Sequence, residues 1–320
     1  MSTPRYRTDF AETAVRIASH VRHTPTIRAL PVPETCAALH LKLEALQVTG
    51  SFKARGAVHA ALCLPEAERQ RGLLTASGGN HGLGVAWAGR SLGVPATVVL
   101  PENAPPVKAQ RIRALGATVV RHGAVWDDAD ALARQMDADG EGTYVHSFAD
   151  PDVIAGQGTV ALEWLADAPD VDTLVVPIGG GGLISGIALA AHAVRPDLRI
   201  VGVEPVGAPT LYESVRANEV ITLPSIETRA NTLAPRRSDA LNLEIIREHV
   251  DTIVLVTDDE MRAAARWLWG QAAVAAELSG AAATAAVLTG RADVAGQRVG
   301  AIVCGAGTAA FDADESAASR

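Results

Sequence analysis

The stretch Thr49-Gly50-Ser51-Phe52-Lys53-Ala54-Arg55-Gly56 sets a lysine directly after a Thr-Gly-Ser turn, at the start of a helical pattern and beside an apolar Phe. A lysine so placed can be partly desolvated, which disfavours the ammonium form and equips the amine to attack an aldehyde or accept a proton near neutral pH. The bland alternative is a surface lysine on a first helical turn. Gly179-Gly180-Gly181-Gly182 follows the apolar run TLVVPI and precedes LISGIALAAHAV. Strand, glycine loop and helix together make a phosphate cradle, since glycines let backbone N–H groups converge on an anion and the helix start adds its positive dipole end. The loop lacks the Lys-Ser/Thr ending of a nucleotide P-loop and does not match GxGxxG. Ser77-Gly78-Gly79-Asn80-His81-Gly82 lies between another strand and helix signal, so it offers N–H donors, a hydroxyl and an amide to a second anion such as a carboxylate; a structural turn capped by Ser77 or Asn80 is the alternative. Val303-Cys304-Gly305-Ala306-Gly307-Thr308 ends the last strand signal, where ligands gather in parallel sheets, although a lone Cys304 is more often a small core residue.

Elements able to position such groups run the length of the chain. Short β-branched runs alternate with alanine-rich helical stretches, the pattern of an α/β protein whose parallel sheets are wrapped by helices. The strands read as 39–44, 96–100, 117–121, 173–177, 199–203, 252–256 and 299–304, with LLTAS and TYVH as further signals. Residues 48–148 hold a complete set of strand and helix signals, so we expect a small inserted domain there and a large cofactor-binding domain from 1–47 plus 149–320. The Ala-rich stretch Ala272 to Leu288 reads as two packed helices around Ser279-Gly280.

With 320 residues the chain is long enough for two lobes and a cleft. It carries 28 Lys and Arg against 36 Asp and Glu, a net charge of −8, so no global positive field draws it to nucleic acid or anionic lipid. A small-molecule substrate fits better. Residues 175–194 are free of charge and long enough to span a bilayer, but Pro177 and four glycines make a buried strand, loop and helix the better reading. No secretory signal is evident, so a cytoplasmic location is expected. Cys36, Cys63 and Cys304 are odd in number, far apart and without a CxxC pair, which argues against a disulfide framework or a zinc site and for reduced thiols.

The four motifs in this order, with VIAGQGT over 153–159 and Val203-Glu204-Pro205, resemble the fold type II pyridoxal-phosphate enzymes, above all the serine/threonine dehydratase and serine racemase family. The resemblance covers nearly the whole chain and implies the two-lobed architecture of the tryptophan synthase β type. It implies that Lys53 forms the Schiff base with pyridoxal 5′-phosphate and that Phe52 lies near the ring. Asn80 would bond the ring hydroxyl and Gly179 to Gly182 the phosphate, with Glu277 nearby. Ser77, Gly78, Asn80 and His81 would hold the substrate carboxylate, with Asn231 and Thr232 beside the substrate side chain. Cys304 aligns with the residue facing the pyridine nitrogen, and a neutral thiol cannot stabilise a pyridinium as a carboxylate would. The implied reaction is β-elimination from a 3-hydroxy amino acid such as L-threonine or L-serine, with Lys53 as base and Ser77 as a second catalytic group. β-Replacement, racemisation or a cofactor-binding scaffold without turnover are the alternatives, and a homodimer is the family's usual state.

Three positions depart from the family pattern. Gly78 stands where racemases carry a second serine and has no proton to give. Glu204 and Ala208 match a metal site of some relatives, but Thr210 replaces its Asp, removing an anionic ligand and leaving a divalent or monovalent cation open. Ala230-Asn231-Thr232 replaces Ala-Asp-Gly, so the substrate need not be plain serine or threonine.

Overall fold

The computed structural model describes residues 8–102, 104 and 106–311. Ten strands alternate with helices: β1 Thr26–Arg28, β2 Ala38–Lys42, β3 Leu73–Ala76, β4 Ala96–Leu100, β5 Thr118–Arg121, β6 Thr143–Tyr144, β7 Thr173–Pro177, β8 Arg199–Pro205, β9 Thr252–Val256 and β10 Arg298–Ile302. They form two sheets, β1-β2-β10-β7-β8-β9 and β5-β4-β3-β6. All pairings are parallel except β1 with β2. Every residue of β3 and β7 is buried, as expected for parallel strands covered by helices on both faces.

Each sheet has its own apolar core. The larger is built on Leu39, Leu41, Trp164, Val175, Ile184 and Ala282, the smaller on Val58, Leu73, Val85, Val98 and Ile112. The four-stranded sheet lies wholly between residues 73 and 144. Two helices cross closely, Lys53–Cys63 and Pro151–Asp167. Glycine makes the crossing possible: a Cβ on Gly156 would stand 2.6 Å from Gly56 Cα, and one on Gly56 would stand 2.7 Å from the Val153 carbonyl. The second helix starts with Pro151 and is capped by Asp150, whose carboxylate accepts the N–H groups of Asp152 and Val153 at 2.7 and 3.1 Å.

Two expectations are corrected. The Ala-rich stretch contains one helix break, but it falls before Ser279-Gly280: one helix ends at Ala272, Ala273 turns with φ 52°, and the next helix spans Leu278–Leu288. The extended link pairs through Ala276 with Ala306, which is why the chain leaves the helix there. The strand expected over 39–44 ends at Lys42, because Glu44–Leu46 forms a 3₁₀ turn whose Ala45 N–H bonds the Val303 carbonyl.

Candidate active site

The C-terminal ends of β3, β7 and β10 lead into the Ser77, Gly179 and Cys304 loops, and the Lys53 turn is tied to the last of these. Ser51 bridges Gly305, and the Phe52 N–H donates to the Cys304 carbonyl at 3.3 Å. Gly50 turns with φ +83° to bring the chain round, and Lys53 opens its helix with no side-chain cap. Lys53 Nζ donates to the Ser147 carbonyl at 2.6 Å and stands 5.2 Å from the Phe52 ring centre. Burial lowers its pKa from 10.5 to about 8, against a weaker opposing pull from Cys304.

The glycine loop is shaped for a group that tolerates no side chains. A Cβ on Gly180 would lie 2.2 Å from the Phe148 ring, one on Gly179 2.8 Å from the Thr232 carbonyl, and Gly181 has φ +95°. Its outward carbonyl is held by Ser238 Oγ at 2.9 Å and Asn242 Nδ2 at 3.0 Å, both donating to Gly180 O. These bonds fix the loop at the start of the helix Gly182–Val194, whose first N–H groups have no partner within the helix. These residues fit a phosphate.

In the second anion loop Ser77 is buried and its Oγ accepts the Gly79 N–H at 3.2 Å. The helix Asn80–Leu92 begins here, so its first N–H groups point into the loop. Gly78 has room: an added Cβ would meet nothing nearer than Ala104 and Leu100 at 3.9 Å. The His81 side chain turns away from this loop. Its ring is buried, with Nε2 3.0 Å from the Val145 carbonyl, and burial with the Lys53 charge lowers its pKa to about 3. A carbonyl only accepts, so Nε2 carries the proton and the ring is committed inward; His81 can offer an anion its main-chain N–H.

Asn80, Thr232 and Glu277 form one cluster, in which Asn80 Nδ2 at 2.8 Å and Thr232 Oγ1 at 3.1 Å both donate to Glu277 Oε1. Burial raises the Glu277 pKa, and these two bonds with Lys108 and Arg111 offset that only in part. Asn231 is exposed and its side chain has no partner among the described residues, whereas Thr232 is bonded to Glu277. Cys304 is buried and its Sγ donates to the Ser279 carbonyl at 3.5 Å. Burial, then the Glu277 charge, pushes its pKa well up, so it stands as a neutral thiol.

Glu204 stands at the end of β8. Its oxygens accept the Leu211 and Tyr212 N–H groups at 2.9 and 2.7 Å, so it caps the helix Thr210–Ala217, and burial raises its pKa to about 8. Thr210 Oγ1 is turned to the Pro235 carbonyl at 2.6 Å, and Ala208 is buried beside it.

Residues 146–148 and 238–242 carry no motif and escape sequence reasoning. His146 Nδ1 accepts the Phe148 and Ala149 N–H groups at 3.2 and 2.7 Å, folding the turn that aims Ser147 O at Lys53 and Phe148 over Gly180. A main-chain carbonyl and a ring packed on glycine leave no local pattern to find.

A lysine of lowered pKa beside a glycine loop that fits a phosphate, at the strand ends of a two-sheet α/β protein, is the arrangement of the cofactor-dependent enzymes of fold type II. The family model described as pyridoxal-phosphate dependent enzyme matches residues 17–305. The L-threonine ammonia-lyase of Thermotoga maritima is 41% identical over 267 residues, 83% of this chain and 66% of that protein. The chain thus spans just under two thirds of that relative's length. The phenylserine dehydratase of Ralstonia pickettii is 38% identical over 297 residues, 92% of this chain and 90% of that one. The solved structure of maize serine racemase superposes with a TM-score of 0.89 at 33% identity, covering 97% and 94% of the two chains. This chain belongs to the pyridoxal-phosphate dependent enzyme family, with pyridoxal 5′-phosphate as its cofactor. No helix among the described residues is long and apolar enough to cross a membrane.

Proposed function

We propose that this enzyme is an ammonia-lyase that removes the β-hydroxyl from a small 3-hydroxy amino acid, releasing a 2-oxo acid and ammonia. The observation that carries the reading is Lys53 Nζ, held by Ser147 O beside the glycine loop with its pKa lowered to about 8, where an amine can act as a base. Bound pyridoxal phosphate supplies the electron withdrawal that makes the substrate Cα–H acidic. Gly179 to Gly182 would hold its phosphate, Asn80 would bond its ring hydroxyl with Glu277 behind it, and Phe52 would pack near the ring. The neutral Cys304 thiol offers no negative charge to a protonated ring nitrogen, which favours prompt loss of a β-substituent over a long-lived carbanion.

Ser77 with the N–H groups of Asn80 and His81 orients the carboxylate, and Lys53 takes the α-proton. The β-hydroxyl then leaves as water with the proton that Lys53 took, the released enamine gains a solvent proton at Cβ to become an imine, and water adds at the imine carbon to give the 2-oxo acid and free ammonia. Gly78 has no proton to deliver to the opposite face, which speaks against racemisation. Thr232 replaces a glycine beside the substrate side chain, and its methyl carbon would lie 3.6 Å from a Cβ on Gly79, so it trims the pocket at the loop that grips the carboxylate. The names of the Thermotoga and Ralstonia relatives both denote 3-hydroxy amino acids, which supports that substrate class. A homodimer belongs to the same reading, supported by the exposed Trp269 and Phe311 rings, 4.9 Å apart. The free thiols suit a reducing, cytoplasmic setting.

The test is a screen of L-threonine, L-serine, phenylserine and 3-hydroxyaspartate for 2-oxo acid and ammonia, with the Lys53→Ala protein as control. Release in the wild type and its loss in Lys53→Ala is expected; undiminished release without Lys53 refutes the proposal.

A further inference from the structure

At the far end of the helix that begins with Lys53, three groups from two segments converge. His59 and Cys63 lie one turn apart on that helix, and Asp152 opens the helix that crosses it. One ligand atom from each lies within 4.8 Å of the other two. Cys63 Sγ and His59 Nε2 are 3.5 Å apart. A tetrahedral zinc with bonds of about 2.3 Å to sulfur and about 2.0 Å to nitrogen separates those two atoms by about 3.5 Å. The imidazole is also in the right tautomer. His59 Nδ1 is 2.8 Å from the Asp152 main-chain carbonyl, which can only accept, so the proton sits on Nδ1 and the Nε2 lone pair faces Cys63. Anchoring one ring nitrogen on a carbonyl is how metal-binding histidines are oriented.

We propose that His59, Cys63 and Asp152 form a binding site for a thiophilic divalent cation such as zinc, which ties the Lys53 helix to the helix Pro151–Asp167. The ion displaces the Cys63 thiol proton to solvent, and thiolate plus carboxylate balance its two charges. His59 is buried, Cys63 half-buried and Asp152 exposed, so the carboxylate can swing in and water can take the fourth position. Arg16 Nη1 lies 3.3 Å from Sγ as a donor and its Nη2 bonds Glu12 at 2.6 Å. An N–H donated to a metal-bound thiolate is a compatible outer contact, and the half-exposed Arg16 can also turn out to solvent. The sequence hid the site, because His59-x-x-x-Cys63 becomes a ligand pair only on a helix and its third member is 89 residues on.

The experiment adds cobalt(II), a coloured stand-in for zinc, to the cofactor-loaded enzyme in a chelator-free buffer. Wild type should bind one equivalent, giving tetrahedral d–d bands to the red of the cofactor's absorption and a sulfur-to-metal charge-transfer band; zinc should bleach both. Cys63→Ser should lose the charge-transfer band, and Asp152→Asn should weaken binding at least about tenfold. Zinc should also raise the melting temperature and block alkylation of Cys63 in wild type only. A thiol–imidazole hydrogen bond alone gives no saturable bands, and that result overturns the proposal. So do bands that persist unchanged in both folded variants, which would put the ion elsewhere, for instance at Glu204.

Discussion

Lys53 should destabilise the cofactor-free protein, and Lys53→Met should therefore stabilise it. A tenfold change in a proton equilibrium is worth about 1.4 kcal/mol, so a fall in the lysine pKa from 10.5 to about 8 on folding costs about 3 kcal/mol at pH 7. Met keeps the length of the side chain but loses the bond to Ser147 O, worth about 1–2 kcal/mol. The net expectation is a gain of about 1–2 kcal/mol for the variant at pH 7. Its sign with pH follows from the direction of the shift. Between pH 8 and 10.5 the unfolded chain holds a proton that the folded chain has released, so the wild type recovers stability as pH rises through that window. The advantage of Lys53→Met should be full below pH 8 and gone by the upper end. Urea unfolding of both apoproteins from pH 7 to 10 measures it. A variant less stable than wild type at pH 7, or a difference that does not move with pH, refutes the desolvated-lysine argument.

Gly180→Ala drives a Cβ into the Phe148 ring at 2.2 Å, so we expect at least tenfold weaker uptake of pyridoxal phosphate, read by absorbance titration, with circular dichroism unchanged; normal affinity would remove the glycine loop from the phosphate site. Gly78→Ser meets only ordinary contacts at 3.9 Å, so the variant should fold within about 0.5 kcal/mol of wild type. It should convert some L-serine to D-serine, detected by chiral chromatography, whereas unaltered product chirality would show that a missing proton donor is not what suppresses racemisation. Arg55→Met leaves Glu44, fully buried and bonded to Arg55 at 2.7 and 2.9 Å, without its counter-ion. Thermal and urea unfolding should report a loss of about 3–5 kcal/mol, which Glu44→Gln in the same protein partly restores.

The α/β class and seven strands were legible because buried parallel strands are continuous β-branched runs, and Thr173–Pro177 reads as one without any tertiary knowledge. Strand β1 was not, since three residues at an antiparallel edge are too few to show a period. Glycine loops announced themselves where backbone must approach an anion. Side-chain direction did not: nothing local says that His81 turns in to Val145, that Thr232 reaches Glu277, or that Asn231 stays in solvent. The helix break at Ala273 lacked a Gly or Pro to mark it, because pairing of Ala276 with Ala306 imposes it from outside.

The helix Lys53–Cys63 shows why the unread part matters. Its first residue is the one that chemistry makes conspicuous, yet three later residues of the helix hold it still. Arg55 binds Glu44 at one end and Glu163 at 2.7 Å at the other, and Glu163 also takes Lys42 at 2.9 Å, so the first turn is anchored in a buried ion network. Gly56 then brings the crossing helix to backbone contact at Gly156, and His59 bonds the Asp152 carbonyl one turn later. Every one of these partners comes from a distant segment, so none is visible as a spacing. A side chain attached at the head of such a fixed helix has little freedom beyond its own rotamers, which is the condition for the same amine to hold a cofactor and still reach a substrate proton.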